Sequence, residues 1–224
     1  MNLSKYPAFD SGFGDAPVTT VGTPLVSEQR TVLVFDIRSS TVILSNLAQQ
    51  GYSQLYRNFH VELKDWLLSQ REKAGIELYK FIGDGWILLL PQEIDGEAFF
   101  GFMQDLCEAF DILYYKHLNK MDEPVTVGLT MGVDSGVLYS LKMNEKNEYL
   151  GRPLNLACRL QGAAKSFSES YVCLLTQRAA AGSLQRYCSL HQKKMHAHRA
   201  ELHNVNGGHR FDCNKLVFDF GATP

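Results

Sequence analysis

The sequence predicts an α+β domain, an α/β sandwich in which helices flank one central, mainly antiparallel sheet. Short apolar runs rich in β-branched residues, which are typical of buried strands, recur along the chain. Longer segments with apolar residues at helical spacing lie between several of these runs. Gly83-Asp84-Gly85 joins two of the strands directly, as in a hairpin. Strands and hairpins mixed with helices indicate one sheet with helices packed on it.

The individual elements follow in order from these patterns. Residues 1–29 are rich in Gly, Pro, Ser and Thr and lack a sustained period, so we expect an irregular arm there and one folded domain over 30–224. Residues 31–37, with the sequence TVLVFDI, predict the first buried strand. We expect helices over 41–50, 52–73, 97–119 and 152–165, and strands over 77–82, 86–90, 125–133, 137–141, 171–176 and 215–220, with a turn at Ser135-Gly136.

Size and charge restrict the possible function. A chain of 224 residues with 45% hydrophobic residues suits one large domain with a substantial core. The formal net charge is −2, so no overall positive field favours nucleic acid or an anionic membrane as a partner. A phosphorylated small molecule would therefore need a local positive site.

Cysteine usage and the N-terminus indicate a location in the cell. The five cysteines are odd in number and form no C-x-x-C pair, which favours reduced thiols and the cytosol. The first residues lack the basic start and apolar run of a signal peptide. No stretch approaches the ~20 apolar residues of a membrane span. We therefore expect a soluble, cytoplasmic protein.

Two aspartates lie where strands end. Asp36 closes the first buried strand, and Asp84 lies at the tip of the Gly-flanked hairpin. Singly, Asp84 is an ordinary turn residue and Asp36 an ordinary cap for the next helix. A carboxylate beside an apolar strand is costly unless it is paired or metal-bound. Together the two aspartates suit Mg²⁺ or Mn²⁺, which bind carboxylates and substrate phosphates.

The junction between the first strand and the next helix is a candidate phosphate site. A helix N-terminus presents free backbone N–H groups and the positive end of its dipole. An ordinary Ser/Thr cap without a ligand is the alternative for this segment. The residues that would surround a triphosphate there are Ile37, Arg38, Ser39, Ser40 and Thr41.

Four sequence motifs together resemble the catalytic domain of class III nucleotidyl cyclases. They are VFDIRSST (34–41), YKFIGDGWILLLP (79–91), VGLTMGVDSG (127–136) and EYLGRPLNLACRL (148–160). They follow the family's order and extend over about residues 31–175. The resemblance implies the cyclase α/β sandwich and an enzyme that converts a nucleoside triphosphate (NTP) into a 3′,5′-cyclic monophosphate and pyrophosphate.

The resemblance also implies a metal site. Asp36 and Asp84 would hold two divalent cations, Mn²⁺ or Mg²⁺, in each active site, with the Ile37 carbonyl as a further ligand. In such two-metal sites one ion lowers the pKa of the attacking hydroxyl and the other neutralises the leaving group. The attacking group here would be the ribose 3′-hydroxyl, and the leaving group would be pyrophosphate.

Four further residues match substrate-binding or catalytic positions of the family. Lys80 and Glu148 would read the base, and Asn155 would orient the ribose. Arg159 would bind phosphate and stabilise the transition state, where fixed positive charge is most effective. Asn155 and Arg159 are four residues apart and so share one face of the predicted helix.

The family builds each active site between two subunits, with the metal pair from one chain and the base and transition-state residues from the other. One chain that carries every role therefore implies a head-to-tail homodimer with two equivalent sites.

The family's triphosphate-binding lysine is missing from its usual position. The segment LHNV (202–205) resembles the family stretch that carries this lysine, and it places His203 there. Arg199, Arg210 and Lys215 are alternatives. Five histidines of the C-terminal region lack ligand spacing, and we expect them to be exposed: His191, His196, His198, His203 and His209.

The base is the open point. Hydrogen bonding by Lys80 and Glu148 suits adenine, cytosine or uracil, and also guanine through O6 and N1–H, although the pair is not the usual guanine set. Glu148 reaches one methylene further than Asp, which favours a smaller base. The chain is similar to the stand-alone pyrimidine cyclases of bacterial antiphage (Pycsar) systems, which implies UTP to cUMP or CTP to cCMP and a separate effector that senses the product. Adenylate cyclase activity is the alternative. A non-catalytic, nucleotide-binding dimerisation module is the alternative of another class.

Overall fold

The computed structural model describes residues 25–92, 95–119, 125–143, 146–205 and 208–219, without the side chains of 203–209. In chain order the elements are β1 (Val26–Ile37), α1 (Ser40–Gln49), α2 (Ser53–Ala74), β2 (Glu77–Ile82), β3 (Gly85–Pro91), α3 (Gly96–Leu113), a π-helical turn (Tyr114–Leu118), β4 (Leu129–Met143), β5 (Lys146–Leu150), α4 (Arg152–Ala164), β6 (Tyr171–Thr176), α5 (Gln177–Ala180), α6 (Ser183–Leu190), β7 (Met195–Val205) and β8 (Gly208–Val217).

The strands form one sheet with the order β2-β3-β1-β4-β6-β8-β7, and β5 pairs with the C-terminal end of β4. Neighbouring strands run antiparallel except for β4 and β6, which run parallel. Helices flank this sheet, so the predicted α+β class with a mainly antiparallel sheet is confirmed. Among the described residues, no helix is both long enough and apolar enough to cross a bilayer.

Both faces of the sheet are covered, which explains the unbroken apolar run in β1. Leu33, Phe35 and Ile37 belong to the larger core, which includes buried side chains of α1, α2, α3 and α6. Val32 and Val34 alternate with them and pack on the opposite face with side chains from α4 and the β4–β5 hairpin. A strand buried on both faces loses the usual alternation of apolar and polar residues.

The expected irregular arm over 1–29 is wrong for its last residues. Val26 to Gln29 continue β1, because their backbones pair with β4 from Ser140 to Val137. Composition alone did not indicate this, because SEQR (27–30) is polar and forms a strand only through its pairing with β4. Residues 1–24 lie outside the described part of the chain.

The expected turn at Ser135-Gly136 is also wrong. Both residues lie inside β4, opposite Thr31 and Arg30 of β1. The Ser135 and Thr31 hydroxyls are hydrogen-bonded at 2.7 Å, and Gly136 adopts a φ of 153° that other residues rarely adopt. The glycine therefore serves a distorted strand, not a chain reversal.

Other predicted boundaries differ less from those of the structure. The helix expected over 97–119 is α3 followed by the π-helical turn, and the strand expected from 125 begins at Leu129. Strands β5 and β7 were not predicted, because KNEYL and MHAHRAELHNV are polar sequences with mostly exposed side chains. The strand expected over 215–220 is the end of the longer β8.

Candidate active site

The hairpin between β2 and β3 brings the two predicted metal ligands together. Asp36 pairs in register with Gly85, and Asp84 precedes that glycine. A Cβ atom at Gly85 would lie 2.1 Å from the Phe35 carbonyl oxygen, so only glycine permits this approach. The Asp36 and Asp84 carboxyl groups are close enough to hydrogen-bond. The sequence prediction that both aspartates face one site therefore agrees with the geometry.

Asp36 lies in a costly environment for a carboxylate. The residue is 6% exposed, and burial, followed by the hydrogen bond with Asp84, raises its pKa above the usual value. The Lys165 ammonium contacts Oδ2 of Asp36 and lowers that pKa in part. Gln161 donates an amide hydrogen to the same oxygen at 3.3 Å. Cations would relieve the crowding of negative charge at this pair.

The donor set fits hard divalent cations. Among the described residues, no group of three or more His, Cys, Asp or Glu side chains surrounds a common point. The site thus offers two carboxylates, and the backbone of Ile37 follows directly at the end of β1, with its side chain in the core. Mg²⁺ and Mn²⁺ are commonly held by one or two carboxylates, with substrate phosphates completing the coordination.

The N-terminus of α1 lacks the expected side-chain cap. Ser39 occupies the N-cap position in a left-handed conformation, with φ of 55°. Its hydroxyl donates to the Thr126 carbonyl at 2.9 Å, so it caps no N–H group of α1. Ser40 and Thr41 form the first turn. This arrangement keeps the helix N-terminus available to an anion, as the phosphate interpretation requires.

Arg38 points away from that helix N-terminus. Its Nη2 atom donates to the Ala164 carbonyl at the end of α4, at 3.1 Å, and burial lowers its pKa. Its backbone N–H bonds to the Gly128 carbonyl at 2.9 Å. Arg38 therefore ties the β1–α1 junction to α4 and β4, and its predicted side-chain contact with phosphate requires a rearrangement.

The two residues expected to read the base meet in one chain. Lys80 of β2 and Glu148 of β5 form an ion pair with Nζ and Oε2 3.2 Å apart. The Tyr79 hydroxyl donates to the same carboxylate oxygen at 2.6 Å and accepts from the Tyr149 N–H at 3.1 Å. These bonds, first that of Tyr79 and then that of Lys80, lower the pKa of Glu148. Tyr79 was missed by the sequence reasoning.

Asn155 and Arg159 lie on the exposed face of α4, as their spacing predicts. Arg159 lines a groove of about 690 Å³ together with Phe167 of the following loop and His198 and Arg199 of β7. None of the described residues that line this groove is Asp36, Asp84, Lys80 or Glu148. One chain therefore brings Asp36 to Asp84 and Lys80 to Glu148, but among the described residues none of these four borders the groove that Arg159 lines.

Two of the four candidates for the missing triphosphate residue, Arg199 and Lys215, form ion pairs elsewhere. The His203 side chain lies outside the described part of the chain. Arg199 pairs with Asp212 at 2.8 Å, and Lys215 pairs with Glu169 at 2.6 Å. Arg210 is exposed. Of the five C-terminal histidines, His191 and His196 are exposed as expected, His198 is partly buried, and the side chains of His203 and His209 are not described.

Two side chains of α2 approach the carboxylate pair without having been predicted. Tyr56 hydrogen-bonds with Ser40, and burial, followed by the charges of Asp84 and Asp36, raises its pKa to about 12. The His60 ring packs against Tyr56 with centroids 4.6 Å apart, and burial lowers its pKa. Their i, i+4 spacing on the apolar face of α2 was the signal that could have found them.

Comparisons with known proteins give the fold. No family model and no curated protein match the chain. The crystal structure of the adenylyl cyclase CyaB from P. aeruginosa has 20% sequence identity and a TM-score of 0.58, over 87% of this chain and 97% of that one. This chain has a nucleotidyl cyclase fold. The guanylyl cyclase Cya2 has 14% identity and a TM-score of 0.61, over 87% and 93% of the two chains.

A third structure with a similar fold contains a bound nucleotide analogue. The catalytic core of a rhodopsin-guanylyl cyclase with converted specificity, in complex with ATPαS, has 16% identity and a TM-score of 0.58, over 87% of this chain and 98% of that one. The cyclase sandwich, predicted from the four motifs, is thus confirmed as a fold, and the match covers nearly the whole of each of these catalytic domains.

Proposed function

We propose that this chain is a nucleotidyl cyclase that closes an NTP into a 3′,5′-cyclic monophosphate and releases pyrophosphate. The observation that carries the proposal is the pairing of the buried Asp36 with the partly buried Asp84, beside the uncapped N-terminus of α1, in a cyclase fold. A carboxylate pair suits divalent cations, and a helix N-terminus suits phosphate. A purely structural module has no need for two mutually repelling carboxylates at this edge.

The residues divide the chemistry between them. Asp36, Asp84 and the Ile37 carbonyl would hold two cations, Mn²⁺ or Mg²⁺, which supply activation of the ribose 3′-hydroxyl and neutralisation of the triphosphate. Asn155 orients the ribose so that its 3′-oxygen lies in line with the α-phosphorus. Arg159 places fixed positive charge where negative charge develops on the phosphoryl oxygens.

We further propose that two copies of the chain share each active site. Asn155 and Arg159 project from the exposed face of α4, and Arg159 lines a groove whose described lining does not include the carboxylate pair. A head-to-tail homodimer would bring Arg159 of one copy to Asp36 and Asp84 of the other. Asp36→Ala and Arg159→Ala should each be inactive alone, and mixing them with subunit exchange should restore part of the activity. Failure after verified exchange contradicts shared sites.

For the base, we propose a pyrimidine, with UTP preferred over CTP. Lys80 donates and Glu148 accepts, a combination that matches uracil through O4 and N3–H. Tyr79 and Lys80 both hold the Glu148 carboxylate, which fixes the longer side chain toward a small base. The cUMP product would act as an antiphage second messenger through a separate effector. ATP is the second candidate, since adenylyl cyclases share the fold.

The test is incubation of the full chain with all four NTPs at equal concentration and Mn²⁺, followed by chromatography of the products. We expect a cyclic monophosphate, with cUMP dominant. Asp36→Ala and Asp84→Ala should abolish it while the protein stays folded, and the exposed Asp65→Ala should not. Absence of any cyclic product rejects the enzyme, whereas dominant cAMP rejects only the pyrimidine preference.

A further inference from the structure

One side chain of α4 and the residue that follows the helix hold one oxygen of Asp36, and they differ in exposure. Gln161 donates from a buried position at 3.3 Å, and its amide also donates to the Thr130 hydroxyl at 2.8 Å. Lys165, one turn later, contacts the same Oδ2 atom with its ammonium. Its side chain is 56% exposed, against 8% for Asp36. The carboxylate thus has one buried neutral donor and one cationic donor that comes from solvent.

The ammonium lies where a metal ion would be held. Asp36 and Asp84 bring two negative charges together, and opposite charge nearby favours their ionised forms. The ion in direct contact with Oδ2 is that of Lys165. A cation bound to the carboxylate pair would compete with this ammonium for the same oxygen.

We propose that Lys165 is an exchangeable counter-ion of the metal site: it holds Asp36 in the metal-free protein and gives up Oδ2 to the incoming divalent cation. The inference rests on the proposed function, because it takes Asp36 and Asp84 as metal ligands. A lysine suits exchange, since its ammonium is a strongly hydrated point charge on a flexible stem. Gln161 can keep its hydrogen bond while Lys165 leaves.

The backbone places the displaced ammonium beside the candidate phosphate site. Arg38 ties the β1–α1 junction to the last turn of α4 through the Ala164 carbonyl, and Lys165 follows Ala164. When Lys165 leaves Asp36, its backbone stays tied through Ala164 to Arg38, which lies two residues before α1 begins. Free metal ions would then bind weakly, because each must displace an ion pair, and metal arriving on nucleotide phosphates would offer the lysine a new anionic partner.

An ordinary structural lysine is the competing explanation. A cation near a helix C-terminus is favourable by itself, and Lys165 follows the last residue of α4. If that were its whole role, loss of the charge would weaken folding and metal binding together. Exchange predicts opposite signs: the metal-free protein becomes less stable, but divalent cations bind more tightly because their competitor is gone.

The experiment compares wild type with Lys165→Met, which keeps the length of the side chain without its charge. Mn²⁺ is titrated into each metal-free protein without nucleotide at pH 8, with free Mn²⁺ followed by electron paramagnetic resonance. We expect roughly three- to tenfold tighter Mn²⁺ binding in Lys165→Met, the range for release of a partly exposed ion pair. The melting midpoint of metal-free Lys165→Met should fall by about 2–4 °C.

Three controls make the result specific. Lys165→Arg keeps the charge and should bind Mn²⁺ as wild type does, and the exposed Lys194→Met should change neither quantity. Asp36→Asn should weaken Mn²⁺ binding and remove the difference made by Lys165→Met. Unchanged or weaker Mn²⁺ binding in Lys165→Met overturns the inference, even if the enzyme is active. Tighter binding without any cyclic product leaves the exchange intact and rejects the cyclase proposal instead.

Discussion

Two buried aspartates on neighbouring strands, Asp36 of β1 and Asp134 of β4, have opposite surroundings. Asp134 is 0% exposed, accepts a hydrogen bond from Thr176 at 2.6 Å, and receives two N–H groups of Arg178. Asp36 is nearly as buried, but its neighbours are a second carboxyl group and an exposed lysine. Burial alone therefore does not mark a functional carboxylate. The feature that distinguishes Asp36 is the second carboxyl group beside it, with Gln161 and an exposed lysine as its donors.

The largest expected effect concerns activity at Asp36. Asp36→Asn keeps the shape of the side chain and removes the charge that would hold the cations. We expect the cyclisation rate to fall on the order of 10³-fold, as when one strong electrostatic contribution to a transition state is lost. Initial rates at saturating Mn²⁺ measure it, with circular dichroism to verify the fold. A loss of less than tenfold would remove Asp36 from the metal site.

The next effect concerns stability at Asp134. Arg178→Met leaves the Asp134 carboxylate buried without its bidentate partner. Because the Arg178 side chain is 44% exposed, the cost should lie below that of a fully buried pair, at about 2–3 kcal/mol. Denaturant unfolding should show this loss, and activity per folded molecule should stay near the wild-type value. If activity fell while stability did not, Asp134 would belong to the active site and would not be a purely structural residue.

The pH dependence of stability should show the effect of the raised pKa of Asp36. Because the pKa of Asp36 is raised on folding, its ionisation is less favourable in the folded state, and stability is lost as pH rises from the usual value of 3.8 through the raised value. Asp36→Asn lacks this loss. Without metal, the unfolding free energy of Asp36→Asn relative to wild type should therefore grow between pH 4 and pH 7. A difference that shrinks over this range would show that the raised pKa is wrong.

The third carboxylate is Glu148 of the candidate base site, and substitutions there should have the smallest effects. Tyr79→Phe removes one hydrogen bond to the charged Glu148 carboxylate, worth about 1.5–3 kcal/mol, so the KM for the preferred NTP should rise about tenfold. Glu148→Asp shortens the reach toward the base and should reduce pyrimidine turnover more than any turnover of ATP. Steady-state kinetics with each NTP test both variants. Equal losses for all four NTPs would show that Glu148 does not read the base.

The sequence predicted most of the fold and the elements that carry the candidate site residues. The strand that carries Asp36, the hairpin that carries Asp84 and the helix that carries Asn155 were all recognisable, because hydrophobic period and Gly punctuation are local signals. Strands β5 and β7 were not, since their pairing comes from partners distant in the chain. The continuity of β4 through Ser135-Gly136 likewise depends on β1 opposite.

Four of the missed residues near the carboxylates share one cause. Tyr56 and His60 lie on α2, Gln161 lies on α4 and Lys165 follows it, so they converge on the carboxylates only when those helices pack against the sheet. Helical spacing shows which of them share a face, but it does not show what that face meets. Lys165 in particular had the sequence context of a common helix-terminal lysine.

The tight contact at Gly85 has a consequence for how the protein tolerates change. Any side chain there would meet the Phe35 carbonyl oxygen at 2.1 Å and push the β2–β3 hairpin away from β1. Asp84 would move with the hairpin, although its own side chain would be unaltered. In a saturation scan that scores product formation, Gly85 should therefore be as intolerant as the aspartates, and a search restricted to ionisable side chains would overlook it.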